Sequence, residues 1–160
     1  MTPSYLLEHA IRPALRLLPA NMDGQAASAQ ILAIALQESR CEHRRQIGGP
    51  AHGYWQFEQG GGVRGVLRHP ASKPYIRQVL AALDYDAPAE ELPEVCYIAI
   101  EHNDTLAAAF ARLLLWTLPE ALPGRDDVDE GWRQYLEAWR PGKPHPDTWE
   151  ANFAAAWRIV

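Results

Sequence analysis

The sequence predicts a mainly α-helical protein, one domain over residues 1–160, with a glycine-rich loop or one short hairpin near residues 46–62. Three observations predict it. Apolar residues recur at helical spacings, with no sustained alternation of apolar and polar residues, and no Asn-Gly or Asp-Gly hairpin turn joins two such runs. At 48% hydrophobic content, 160 residues suffice for one buried core. Prolines punctuate the later segments, between the periodic stretches or at their starts.

Taken in order, Asn21 or Asp23 can cap a first helix running to about Arg40. Ile31, Ile34, Ala35 and Glu38 fall three or four apart on one stripe of it, which sets Glu38 on a core-facing side. Gly48, Gly49, Gly53, Gly60, Gly61 and Gly62, with Gly65 just beyond, define the loop or hairpin. A short helix fits 61–68. Pro70, Pro74, Pro93, Pro119, Pro123 and Pro141 then leave helices near 72–83, 94–101, 104–118, 127–140 and 147–157.

The formal net charge of −5 is unevenly spread: residues 1–80 carry nine Lys/Arg against five Asp/Glu, and residues 81–160 carry six against fifteen. One face can therefore attract an anionic polymer on an acidic protein, or both halves are ordinary solvated surface. Cys41 and Cys96 are too few for a disulfide framework and match no zinc spacing, so free thiols are expected. No stretch approaches the roughly 18 apolar residues of a membrane span, and the first thirty residues lack the pattern of a signal peptide. A chain synthesised in the cytoplasm is expected, with no membrane partner.

The oily run Ile31-Leu32-Ala33-Ile34-Ala35-Leu36-Gln37 ends on Glu38. A carboxylate on an apolar stripe loses solvation, and in the last turn of a helix it also meets the negative end of the helix dipole. Both favour the protonated acid. A carboxyl kept neutral near pH 6 to 7 is what cleavage of a glycosidic bond requires, because the leaving oxygen must receive a proton. The alternative is that Glu38 pairs with Arg44 or Arg45 and solvates a helix end.

Leu36-Gln37-Glu38-Ser39, followed after a short loop by Gly53-Tyr54-Trp55-Gln56-Phe57, resembles the lytic transglycosylases of the lysozyme-like superfamily, which carry a helix ending in Glu-Ser and then a Gly-x-x-Gln turn. The two motifs cover about 20 residues. The resemblance implies a lysozyme-like α-helical domain in which Glu38 is the single acid/base, Ser39 supports it by hydrogen bonding, and Gly53 and Gln56 form the turn lining a sugar groove. It implies peptidoglycan glycan strands as substrate and 1,6-anhydromuramyl ends as product, with no cofactor. The family's third motif, Ala-Tyr-Asn-x-Gly in a late helix, has its nearest counterpart in Ala138-Trp139-Arg140-Pro141-Gly142. There Trp139 and Arg140 stand for the tyrosine and asparagine. The family's tyrosine helps hold the glutamate, a role Trp139 can fill only by packing beside Glu38, or Tyr135 from one turn away.

Small size, no signal peptide and the diverged third motif resemble the phage-encoded members of the group. Such a protein acts at the cell wall or in the periplasm after release, or within a virion beside other virion proteins. Two other readings stay open: a hydrolytic lysozyme, for which Glu58 is the nearest second carboxylate, and a virion or assembly protein that keeps the fold and binds glycan without turnover.

Arg40, His43, Arg44 and Arg45, with Arg64 and Arg68, suit muramyl and peptide carboxylates, although the same cluster fits phosphates or plain solvation. No nucleic-acid partner is expected. Of the loop aromatics, Tyr54 is expected toward the groove and Trp55 or Phe57 inward. The absence of His-Glu-x-x-His or any paired ligand spacing argues against a metal. Gly60-Gly61-Gly62-Val63-Arg64-Gly65 lacks the Lys-Ser/Thr ending of a phosphate loop, and Ser39 lacks the Gly-x-Ser-x-Gly of a hydrolase nucleophile. Trp132, Trp139, Trp149 and Trp157 are expected to close the core or a lobe interface, with sugar stacking by one of them as the alternative.

Overall fold

The computed structural model describes all 160 residues, and the chain is mainly α-helical with no sheet. Residues 3–16, assigned no element from the sequence, form a helical run of α1 (Pro3–Leu6), a π-helical turn (Leu7–Ile11) and α2 (Arg12–Arg16). Pro13 accounts for the wide turn. A proline inside a helix has no N–H to donate and crowds the carbonyl one turn back, and a π turn absorbs both defects. Leu6, Leu7, Ala10, Ile11, Ala14 and Leu15 are buried along one side of this run.

There follow α3 (Gln25–Ser39), a π-helical turn (Gln59–Val63) leading into α4 (Arg64–Arg68), α5 (Lys73–Ala82), α6 (Leu92–His102), α7 (Asp104–Trp116), α8 (Val128–Trp139) and α9 (Pro146–Ile159). Neither Asn21 nor Asp23 caps α3. The Asp23 carboxylate accepts from the adjacent Gly24 N–H at 2.6 Å, so Gly24 becomes the N-cap and the helix starts at Gln25 without a side-chain cap.

Every residue of α7 from Leu106 to Leu115 is buried. Apart from Arg112 this stretch is apolar on all sides and has no solvent face, and α7 is accordingly the axle of the core, packed on α2, α5 and α6. Its first turn is closed by Asn103, whose Oδ1 accepts from Leu106 N at 2.9 Å. Alongside it, α3 is buried from Ala27 to Ala35 and lies against α9. The segment between α3 and α4 forms no hairpin: it holds only two isolated antiparallel bridges, Arg45 with His52 and His52 with Phe57. Cys41 and Cys96 are free and buried, and burial pushes both thiols up to about 12. No helix is long and apolar enough to cross a membrane.

Candidate active site

The last turn of α3 ends in an unusual stop. Arg40 (φ 53°) and Cys41 (φ 57°) both adopt left-handed backbone, which no glycine is present to relieve. Ser39 holds the break: its hydroxyl donates to the Tyr54 carbonyl at 2.7 Å and accepts from Cys41 N–H at 3.2 Å. Ser39 makes no hydrogen bond to the Glu38 carboxylate. Its support is indirect, through the backbone of the turn that follows.

That turn, residues 53–57, is stitched between two helices. Trp55 is fully buried and its indole N–H donates to Ile31 O of α3 at 2.8 Å, while Trp139 of α8 donates its own indole N–H to Trp55 O at 2.9 Å. Gln56 is left-handed (φ 52°), and its amide donates to Gly53 O at 2.8 Å. Of the five non-glycine residues with positive φ, Arg40, Cys41, Gln56 and Arg140 all border this region. Strained backbone of this kind persists only where surrounding contacts over-determine it, and it concentrates at functional sites.

Between the turn and α8 opens a cleft of about 1280 Å³, larger than most small-molecule pockets at roughly 300–1,000 Å³. Glu38 lies in it, half-buried. Gln56, Phe57, Glu58 and Gly60–Gly62 form one wall, and Ala138–Lys143 forms the other. Tyr135 donates its hydroxyl to Glu38 Oε1 at 2.6 Å. The phenol is aimed by its neighbours, stacked on Trp149 at 5.4 Å between ring centres and flanked by Trp132 at 5.3 Å. Gln37 fixes the far wall. Its side chain donates to His145 O at 2.8 Å and accepts from Asn152 Nδ2 at 2.8 Å, tying the end of α3 to the start of α9.

Burial holds the Glu38 carboxyl up at about 7, against the opposing hydrogen bond from Tyr135, and the negative charge of Glu58 adds to the rise. The Tyr135 hydroxyl is pushed well above the ordinary phenol range by burial and by Glu38's charge. Glu38 is therefore a proton donor up to neutral pH and a base once ionised, with a neutral phenol beside it. Tyr135→Phe removes the bond that favours the carboxylate. The Glu38 titration, followed by carboxyl NMR, should move upward by up to about one pH unit for a lost bond of roughly 1–1.5 kcal/mol. A downward or absent shift would contradict the assignment of Tyr135 as the carboxylate's donor.

Several expected positions are corrected. Trp139 lines the cleft, but the side chain bonded to Glu38 is Tyr135, and Trp139's indole N–H is spent on Trp55 O. Tyr54 does not face the groove. It is 4% exposed, its hydroxyl accepts from Arg44 Nε at 3.1 Å, and the Arg44 guanidinium lies over its ring. Gly53 likewise works inside the fold, under Ile100. The basic cluster is divided. Arg44 pairs with Asp104 at 2.6 Å and Arg45 with Glu101 at 3.0 Å, so neither reaches Glu38. His43, Arg64, Arg68 and Arg140 line the cleft with Lys143, whereas Arg40 is exposed outside it. Glu58 lies exposed in the same cleft.

Tyr135 and Gln37 carried no assigned role from the sequence, apart from the option of Tyr135 acting from one turn away. A signal for Tyr135 was present: Trp132, Tyr135 and Trp139 lie three and four apart, on one stripe of α8. Compared with family models, with curated proteins and with solved structures, the chain gives no match.

Proposed function

We propose that this protein is a lytic transglycosylase-like enzyme that cleaves the β-1,4 bond of peptidoglycan between N-acetylmuramic acid and N-acetylglucosamine, with Glu38 as its single acid and base. The observation that carries the reading is a carboxyl poised near neutrality in a long open cleft and hydrogen-bonded by a buried phenol. In the reaction, the Glu38 carboxyl gives its proton to the leaving glycosidic oxygen as the bond to the muramyl C1 breaks. The sugar's own 2-acetamido group stabilises the cationic centre. Glu38, now a carboxylate, takes the proton of the C6 hydroxyl as that oxygen bonds to C1, so the acid is regenerated and no water is consumed. Tyr135 stabilises the ionised intermediate form of Glu38 through its 2.6 Å bond.

The cations that line the cleft support the choice of a carboxylate-bearing glycan. Arg64, Arg68 and Lys143 form no salt bridge within the protein and are free to meet lactyl and peptide carboxylates. Glu58 favours one competing reading. A second carboxylate in the same cleft suits activation of water, which would make the protein a hydrolytic lysozyme.

Product analysis separates these. Digestion of purified peptidoglycan should release fragments with 1,6-anhydromuramic ends, lighter than hydrolytic fragments by about 18 Da, the mass of the water not added. Reducing ends alone would assign the hydrolase, with Glu58 as the residue to substitute next. Binding to cell walls without any released fragment would leave a glycan-binding virion or assembly protein.

A further inference from the structure

The uncapped start of α3 lies at the opposite end of the helix from Glu38. The N–H groups of Gln25, Ala26 and Ala27 find no acceptor in the protein, so this fifteen-residue helix presents open donors and the positive end of its dipole. Beside it stands Arg112 of α7, only 4% exposed. Its Nε donates to Met22 O at 2.7 Å, in the turn just before α3, and its guanidinium lies over the Trp116 ring at 5.2 Å. The remaining Nη1 and Nη2 donors have no partner in the protein. No carboxylate pairs with this cation, and burial by itself lowers the guanidinium to about 10.

A buried charge without a counter-charge is costly, and native proteins rarely keep one unless something answers it. Both features open on one cavity of about 500 Å³, lined by Gly24, Ala26, Ala27, Arg112 and Trp116. Two carboxylates also border it, but each is engaged elsewhere: Asp23 on Gly24 N–H, and Glu120 at 3.5 Å from Arg133.

We infer that this cavity binds a small oxyanion, a phosphate or carboxylate group held between the Arg112 guanidinium and the open amides at the start of α3. The planar fork of an arginine matches two oxygens of such a group, and amides at a helix N-terminus supply further donors directed at the same charge. The space exceeds that of a bare ion. With Leu115, Trp116 and Leu122 on its walls, it takes a small organic acid or phosphate ester, anion inward and apolar body against the indole. Asp23 and Glu120 at the border keep the affinity modest, with Kd on the order of 1–10 mM for a bare ion. Gln25 and Glu38 are thirteen positions apart on one helix, about 20 Å at 1.5 Å per residue, so this site does not compete with the cleft.

Titration of the ¹⁵N-labelled full chain tests the inference, with inorganic phosphate in one arm and acetate in the other, at constant ionic strength made up with chloride. Saturable shifts of the Ala26 and Ala27 amides and of Arg112 Nε–H, with the residues around Glu38 unmoved, are the expected result. Saturation in one arm assigns the phosphate or the carboxylate preference. Arg112→Lys, which keeps the charge and loses the fork, should weaken binding at least severalfold. No saturable shift at those amides up to about 50 mM of either ion, several times the expected Kd, overturns the site. So does equal binding in a folded Arg112→Gln protein. Neither readout depends on glycan cleavage, so failure here leaves the proposed reaction standing.

Discussion

Glu38→Gln is expected to lower the clearing of purified cell walls by about 10²–10⁴-fold, the range that a positioned acid/base supplies, while the protein stays folded. The amide keeps the shape of the acid, and its oxygen still accepts from Tyr135. What it cannot do is give up or take a proton. Stability should respond in the opposite sense. The folded-state pKa of Glu38 is raised from 4.5 to about 7, so the unprotonated form is penalised on folding. Its contribution is fully present below about pH 4.5 and is lost as pH rises through 7. At roughly 1.4 kcal/mol per pH unit, the wild type loses at most about 3.5 kcal/mol across that window, and Glu38→Gln escapes the loss. Thermal unfolding from pH 4 to pH 8.5 should therefore show the variant gaining on the wild type as pH rises. A variant that stays folded and still clears cell walls would remove Glu38 from the mechanism.

Gly53→Ala should show the reverse profile, with a large loss of stability and little change in the activity of the molecules that remain folded. Gly53 has φ 73°, and a Cβ there would lie 2.8 Å from Ile100 Cγ2 and 3.0 Å from the Ile100 carbonyl oxygen. Left-handed backbone costs a residue with a Cβ about 1–2 kcal/mol, and overpacking of a tight site typically adds about 1–3. A total on the order of 3 kcal/mol corresponds to a fall in Tm of about 6–12 °C for a protein of this size. Circular dichroism melts read the loss directly. An unchanged Tm with lost cell-wall clearing would instead make Gly53 a direct contact to the substrate.

Together the two substitutions separate the Glu38 motif from the glycine turn. One supplies the reactive group, and the other lets the backbone fold closely enough to build the wall beside it. Both motifs stood out in the sequence for local reasons: a carboxylate at the end of an apolar helical run, and a glycine followed by alternating aromatic and polar residues. Which neighbours they meet was a different question. Arg44 and Arg45, six and seven residues from Glu38, turn to Asp104 and Glu101, about 60 positions away along the chain. Tyr135, 97 positions away, reaches Glu38.

The order and type of the helices from α3 onward followed from sequence alone, because a 3.6-residue apolar period and proline punctuation act over one or two turns of chain. The carboxylate on the buried face of α3 followed from the same period. The tertiary structure decided that Tyr135, with Trp139 on the same stripe of α8, aims its hydroxyl at Glu38, that Tyr54 turns away from the cleft, and that Ser39 braces backbone instead of carboxylate. The physical reason is one of range. Local spacing decides which side of a helix a residue occupies, but the direction of a hydroxyl or guanidinium is set by which distant donors and acceptors the packed core leaves unpaired.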